Sequence, residues 1–131
     1  MIVDASALIA ILRNEPETEV FVRAIDDAPR PRISAANFLE ASIVIDSRQN
    51  PLPARRLDDL IAELRLIIEP VTEEQAHVAR QAYRDYGRGS GHPARLNFGD
   101  CFAYALARIT GEPLLFKGDD FGHTDIAPAV S

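Results

Sequence analysis

The chain has 131 residues, of which 47% are hydrophobic and 26% charged, and its formal net charge is −6 at pH 7. This length buries a core without help from disulfides or structural metals, so we expect a single domain over residues 1–131. The negative charge argues against nucleic-acid binding through overall electrostatics, and the single cysteine, Cys101, excludes an intramolecular disulfide and a multi-cysteine zinc site.

The chain begins with an apolar run that predicts a short buried strand and then a helix. Residues 1–3 form the strand, Asp4 lies at its end, and residues 6–15 have helical spacing with Ser6 placed to cap the helix. The run lacks the basic region of a signal peptide. No stretch of the sequence approaches the roughly 18 apolar residues of a membrane span, so we expect a cytoplasmic protein.

Two further helices flank a second strand. Residues 17–27 predict a helix, residues 32–34 a short strand, and residues 35–49 another helix in which Glu40 lies among apolar positions. The spacing in these helices assigns the following side chains to the core: Val20, Phe21, Ala24, Ile25, Phe38, Leu39, Ser42 and Ile43. The helices also carry more apolar surface than one small core uses, which predicts a homodimer.

The rest of the chain continues the alternation of helices and strands. Residues 51–67 predict an amphipathic helix, residues 66–71 a third strand, and residues 72–87 a helix with Thr72 as its cap. A glycine-rich loop over residues 87–95 then leads to the last helix.

That last helix is bounded by clear signals and is followed by a strand. Asn97 caps it, Gly111 ends it, and residues 113–116 predict a fourth strand that runs into residues 117–123. Strands that alternate with helices predict an α/β fold, here a three-layer α/β/α sandwich with a central, mainly parallel sheet of four to five strands.

Acidic residues are expected to gather at one edge of this sheet. Asp4 and the pair Asp119 and Asp120 each follow a strand, and sites in parallel sheets form outside the carboxyl ends of the strands. Glu40 and Asp100, which lies in the first turn of the last helix, complete the set of acids. Taken singly, each acid has a second explanation as a helix cap or a surface charge, and for Asp100 it is the favourable interaction of an acid with a helix N-terminus.

These acids outnumber the cations expected nearby, which are Lys117 and Arg95. An unpaired carboxylate at the end of a buried strand costs several kcal/mol, so it needs a basic partner, hydrogen bonds or a metal. Ligands that are all oxygen favour Mg²⁺ or Mn²⁺ over Zn²⁺. Such ions commonly serve phosphate chemistry, in which the metal activates a water molecule and stabilises the leaving oxygen.

Four segments of the chain resemble the signature blocks of the PIN-domain family, and within it the VapC-type toxins of type II toxin–antitoxin pairs. The segments are MIVDASALIAIL, ISAANFLEASIVI, NFGDCFAYALA and PLLFKGDDF. The resemblance implies a Mg²⁺- or Mn²⁺-dependent endoribonuclease that hydrolyses phosphodiester bonds of structured RNA, such as tRNA or rRNA. It also implies that a cognate VapB-type antitoxin inhibits the enzyme.

The resemblance assigns roles to individual acids. It implies that Asp4, Glu40 and Asp100 are catalytic metal ligands, with Ser6 and Asn97 in support. Many relatives have their fourth acid where this chain has Gly118. We therefore predict Asp119 as the fourth catalytic metal ligand, with Asp120 as the alternative or as a residue that holds the turn.

The loop before the last helix carries candidate RNA-binding residues. Arg88, His92 and Arg95 are placed to hold the RNA backbone beside the metal, and the alternative is a flexible loop with incidental charge. An acidic pocket should also accept an Arg or Lys side chain from a basic antitoxin tail.

The same residues do not fit two other classes of protein with a similar pattern. A haloacid-dehalogenase-type phosphatase needs a second aspartate where this chain has Ser6, and a response-regulator receiver needs a phosphoacceptor aspartate where the third strand offers only Glu69. A catalytically weak or inactive acidic module that binds metal or peptide remains the alternative function.

Overall fold

A parallel sheet of short strands organises the chain. The computed structural model describes residues 1–47 and 51–130, and of residues 51–54 it describes the backbone alone. Within these residues the sheet has four strands in the order β3-β2-β1-β4, and every neighbouring pair is parallel. The strands are β1 (Ile2–Val3), β2 (Arg32–Ser34), β3 (Ile67–Glu69) and β4 (Leu114–Leu115). The predicted α/β class and the mainly parallel sheet are confirmed.

Helices fill the connections between successive strands. They are α1 (Ala5–Leu12), α2 (Thr18–Asp27), α3 (Ala35–Asp46), α4 (Pro51–Glu63), α5 (Glu73–Tyr86) and α6 (Phe98–Thr110), and a short 3₁₀ helix follows β4 at Asp120–His123. Residues 48 and 49, which were predicted to continue the third helix, lie outside the described residues. No helix in the described ranges has both the length and the apolar character needed to cross a bilayer.

The core lies on both faces of the sheet because successive strand residues point to opposite sides. Val3 and Leu115 pack with residues of α1 to α4 on one face. Ile2 and Leu114, their neighbours in sequence, pack with residues of α5 and α6 on the other face. The three-layer arrangement therefore follows from two dipeptides, one in β1 and one in β4.

The order of the strands reverses direction beside β1. The chain moves outward from β1 to β2 and β3, and then returns to place β4 on the other side of β1. Val3 is in register with Leu115, and the Asp4 N–H continues the ladder by donating to the Leu115 carbonyl over 2.9 Å. The segments that follow β1 and β4 thus meet at a topological switch point, where parallel sheets form their sites.

Three residues that were predicted to face the core are exposed, although Phe21 and Ile25 are buried as predicted. Val20 is 53% exposed, and Leu39 and Ile43 are each 58% exposed. In α3 the buried stripe consists of Asn37, Ala41 and Ile45, which are spaced four residues apart. The helix is therefore rotated relative to the prediction, and a polar asparagine occupies a core position that the apolar residues were expected to fill.

The predicted helix over residues 51–67 is too long. α4 ends at Glu63, and Arg65 has a positive φ of 55°, which an α-helix cannot continue. The backbone N–H groups of Arg65 and Leu66 donate hydrogen bonds to the carbonyls of Ala62 and Ile61, respectively. This turn redirects the chain into β3.

Candidate active site

Asp4 lies at the end of β1 and caps α1. Its Oδ2 accepts the Ser6 N–H over 3.0 Å, and Asp4 is only 4% exposed. Ser6 was predicted to be the cap, but α1 begins at Ala5, so Asp4 is the residue with the extended conformation of an N-cap. The Ser6 hydroxyl instead accepts the Lys117 N–H over 3.0 Å. Ser6 therefore ties the segment after β4 to the start of α1.

Burial dominates the titration of Asp4. It raises the pKa of Asp4 from 3.8 to about 6, although hydrogen bonds from Ser6 and Ala5 act in the opposite direction. The negative charge of Glu40 raises the pKa further. Asp4 is thus a buried carboxylate with another acid close enough to repel it.

Asp100 serves as a helix cap and also faces other acids. Its Oδ2 accepts the Asn97 N–H over 3.0 Å, while its own N–H donates to Asn97 Oδ1 over 2.9 Å, so the two residues form a capping box. Burial raises the pKa of Asp100 to about 7 despite the Asn97 hydrogen bond, and the charges of Asp4 and Asp120 add to this effect. Asp100 therefore takes part in the N-terminal cap of α6 and lies near two other acids, Asp4 and Asp120.

Glu40 reaches the site from α3 and is held there by Asn37. Asn37 Nδ2 donates to Glu40 Oε1 over 3.2 Å and to the Gly99 carbonyl over 2.9 Å. Sequence reasoning missed Asn37. The available signal was a polar residue at a position where the surrounding block, residues 33–45, is mostly apolar.

The segment after β4 brings Asp120, rather than Asp119, to the other acids. The Asp120 carboxyl is within hydrogen-bond reach of the Asp100 carboxyl, while Asp119 is exposed. Gly118 has a φ of 108°, a turn that favours glycine, and Phe121 packs against Phe116 with ring centroids 5.2 Å apart. The packing of Phe121 therefore places the half-buried Asp120, the residue just before it, on the side of the turn that faces the other acids.

We call Asp4, Glu40, Asp100 and Asp120 the acid cluster. Lys117, one of the cations expected to offset it, is engaged elsewhere: Nζ pairs with Glu15 and, over 3.1 Å, with Glu17. The other, Arg95, is exposed. In the part of the chain that the structure describes, no ion pair joins a basic side chain to the acid cluster.

The chemistry of the acid cluster fits a hard divalent cation. Its donors are all carboxylate oxygens, the ligands that Mg²⁺ and Mn²⁺ prefer, and no positive side chain among the described residues pairs with them to offset their mutual repulsion. Each of these acids lies close enough to at least one other to affect its pKa or to be affected by it. Across residues 1–47 and 51–130, however, no three His, Cys, Asp or Glu side chains are already arranged to bind one metal ion. Like charges that lack a counter-ion repel one another, which opposes closer approach.

The loop that carries the candidate RNA-binding residues is closed at its base. Leu96 N–H donates to the Tyr86 carbonyl over 2.8 Å, and Arg88 N–H donates to the Leu96 carbonyl over 3.0 Å. The His92 ring stands edge-on to Tyr86, with centroids 4.9 Å apart. Arg88 and Arg95 are exposed, and the loop ends one residue before Asn97. These side chains therefore lie just before the helix that carries Asp100.

Fold and site together define an acidic α/β protein with a carboxylate-rich site at the carboxyl edge of its parallel sheet. The family model for the PIN domain matches residues 1–127. The chain belongs to the PIN-domain family.

Proteins from mycobacteria are similar to this chain over nearly its whole length. It is 56% identical over 130 residues to ribonuclease VapC28 of Mycobacterium tuberculosis, covering 99% of this chain and 98% of the relative. It is 53% identical over 131 residues to ribonuclease VapC42 of the same species, covering 100% of both. The crystal structure of M. tuberculosis VapC20, described as a sarcin-ricin loop cleaving toxin, shares the fold with a TM-score of 0.74 at 18% identity, over 96% of this chain and 95% of that one.

Proposed function

We propose that this protein is a Mg²⁺- or Mn²⁺-dependent endoribonuclease and the toxin of a type II toxin–antitoxin pair. The observation that carries the proposal is the acid cluster: four carboxylates at the carboxyl edge of β1 and β4, with no basic side chain paired to them in the described residues. The names of its relatives, VapC ribonucleases at 53% and 56% identity, support RNA hydrolysis. Structured RNA, tRNA or rRNA, is the substrate class we propose.

We infer that Asp120 is the fourth acid, in place of the predicted Asp119. Asp120 is half-buried and shares its surroundings with Asp100, whereas Asp119 is exposed. Two carboxylates this close repel each other, and a bound cation would relieve that repulsion. Asp120 therefore belongs with Asp4, Glu40 and Asp100 as a proposed metal ligand.

The residues around the acid cluster orient it for this reaction. A bound divalent cation supplies Lewis-acid polarisation of the phosphate and activation of water. The backbone N–H of Ser6 fixes one oxygen of Asp4, and the backbone N–H of Asn97 fixes one oxygen of Asp100. These bonds hold both carboxylates in place before the substrate arrives, which is the preorganisation that catalysis requires.

We propose that Arg88, His92 and Arg95 hold the RNA backbone. Arg88 and Arg95 are exposed on the closed loop that leads into α6, so their guanidinium groups are free to contact phosphates near Asp100. Contacts of this kind position a nucleic acid without reading its sequence. The local positive charge compensates for the negative charge of the whole chain.

We also propose two protein partners. A VapB-type antitoxin would place a basic side chain in the acid cluster, because no basic side chain in the part of the chain that the structure describes pairs with the cluster. A second copy of the chain would cover the exposed apolar residues, of which Leu39, Ile43, Tyr83 and Phe98 form one face, here called the apolar face. Two apolar grooves, of about 350 and 250 Å³, meet at Phe98 and Phe102 on this face.

We place the protein in the cytoplasm.

The decisive experiment compares wild type with Asp100→Asn on a total-RNA pool, in Mg²⁺, in Mn²⁺ and in EDTA. Asparagine keeps an oxygen for the Asn97 N–H but loses the charge, so the fold is retained. We expect discrete fragments from wild type with metal only, and at least about a 100-fold loss of cleavage in the variant. If both proteins are inactive while wild type still binds Mn²⁺ or a basic peptide, the acidic binding module is the correct function.

A further inference from the structure

Asn37 is a fully buried polar residue whose hydrogen bonds join two helices at the site. It is 0% exposed, and its Nδ2 donates both to Glu40 on α3 and to the backbone carbonyl of Gly99 on α6. Asn37 and Glu40 are three residues apart, which places them on the same side of α3. One amide group therefore fixes the Glu40 side chain relative to the helix that carries Asp100.

Stability alone does not explain an asparagine at this position. Within the described residues the Asn37 Oδ1 is buried and has no hydrogen-bond partner. A buried acceptor that is left unpaired costs stability, and an apolar side chain of similar volume avoids that cost. What Asn37 offers in exchange is its contact with Glu40.

Gly99 meets Glu40 from the opposite helix. A Cβ on Gly99 would lie 2.2 Å from Glu40 Oε2 and 2.8 Å from Glu40 Cδ. Gly99 lies in the first turn of α6 and its φ is not positive, so the backbone does not require glycine there. Alanine is the better helix former, yet only glycine leaves room for the carboxylate in its present place.

We propose that Asn37 and Gly99 are positioning residues that hold the Glu40 carboxylate where it joins Asp4 and Asp100 in binding a divalent cation. Asn37 holds it through a hydrogen bond and Gly99 through the space that it leaves. Neither residue is one of the proposed metal ligands. This proposal rests on the proposed function, because it assigns Glu40 to the same cation site.

The sharpest test is Gly99→Ala with Gly122→Ala as its matched control. Gly122 has an ordinary φ, and an added Cβ meets nothing within 4 Å. In Gly99→Ala the flexible end of Glu40 must move, so we expect Mn²⁺ affinity, measured by calorimetric titration, to fall about 10- to 100-fold. The melting temperature without metal should stay unchanged or rise, because alanine favours the helix. Gly122→Ala should leave Mn²⁺ affinity unchanged.

A double-mutant cycle tests whether Asn37 acts through Glu40. Asn37→Leu keeps the branched shape and the number of side-chain heavy atoms but removes the donor, and we expect it to lower Mn²⁺ affinity about tenfold in wild type. In a Glu40→Gln background the same change should have almost no effect, because the group it positions no longer carries charge. An equal loss in both backgrounds means a purely structural role and overturns the proposal.

The outcomes separate this proposal from the proposed function. If wild type binds Mn²⁺ and cleaves RNA while Gly99→Ala binds Mn²⁺ as well as Gly122→Ala does, only the positioning proposal is wrong. If wild type binds Mn²⁺ without cleaving RNA, the proposed function fails, and the two glycine variants still decide the positioning role. Absence of Mn²⁺ binding by wild type contradicts both.

Discussion

Ionisation of the Asp4 and Asp100 side chains is unfavourable in the metal-free protein, mainly because both groups are buried. Their pKa values are about 6 and about 7, whereas both are near 3.8 in the unfolded chain. Between these values the folded protein binds more protons than the unfolded one, so the free energy of unfolding falls as the pH rises from about 4 to 7. Above this range both groups are charged and the full penalty is present.

Removing the charge of Asp100 should therefore stabilise the metal-free protein at high pH. We expect Asp100→Asn to raise the free energy of unfolding at pH 8 by about 1–2 kcal/mol, a value reduced for the partial exposure of the group. The gain should shrink to almost nothing near pH 4, where wild-type Asp100 is protonated. Thermal unfolding in EDTA at both pH values measures it, and a gain that is equal at pH 4 and pH 8 would show that charge is not the cause.

The neighbouring residues Asp119 and Asp120 provide a matched pair of substitutions. Asp120→Asn should lower RNA cleavage at least tenfold and weaken Mn²⁺ binding, because it removes a charge beside Asp100. Asp119→Asn removes an exposed charge and should have the smaller effect on both. The reverse order of the two effects would restore Asp119 as the fourth acid.

At the scale of the elements, the sequence predicts most of what the structure contains. The strands at residues 2–3, 32–34 and 67–69 and the caps at Thr72, Asn97 and Gly111 were all expected, because each depends on a local signal. The rotation of α3 was not expected, since exposed Leu39 and Ile43 follow the same spacing as core residues. The spacing of apolar residues along a helix does not determine which of two apolar stripes packs against the core.

The site residues divide in the same way, into those that local sequence signals predict and those that depend on how the helices pack. Asp4, Glu40 and Asp100 follow from their places in the family blocks and the expected sheet edge. The choice between two adjacent aspartates depends on the turn at Gly118 and on the anchoring of Phe121, which propensities do not determine. Asn37 was missed because its role exists only when α3 and α6 are packed together.

The capping box of α6 couples the stability of a helix to the geometry of the site. Asn97→Ala should lower the free energy of unfolding by about 1 kcal/mol. It should also weaken Mn²⁺ binding, because the backbone N–H of Asp100 loses its acceptor, Asn97 Oδ1, and the first turn of α6 is held less firmly. Thr72→Ala is the control: Thr72 caps α5 through the Gln75 N–H over 3.1 Å. We expect Thr72→Ala to lower the melting temperature similarly and to leave Mn²⁺ affinity unchanged. If both variants weaken Mn²⁺ binding equally, general loosening is responsible.

At the scale of the whole molecule, the apolar face sets the expected assembly. Ile43 and Leu39 on α3 are exposed beside Phe98, which is 78% exposed. We expect wild type to be a dimer by light scattering and Ile43→Arg to be a folded monomer, because burying an unpaired charge opposes association.

Val20→Arg is the matched control for this prediction, because Val20 is a similarly exposed apolar residue on α2. It should leave the dimer intact. Dissociation by Val20→Arg and not by Ile43→Arg would place the interface on α2 instead.

The backbone bonds to Asp4 and Asp100 also bear on which ion the protein selects. Ser6 N–H donates to Asp4 Oδ2 and Asn97 N–H donates to Asp100 Oδ2, so one oxygen of each carboxylate is already hydrogen-bonded to the backbone. Ca²⁺ takes six to eight oxygens and often grips a carboxylate by both, whereas Mg²⁺ takes six at shorter distances and keeps several waters. We therefore expect these two backbone hydrogen bonds to disfavour binding through both oxygens of a carboxylate and to bias the proposed metal site towards the smaller ion.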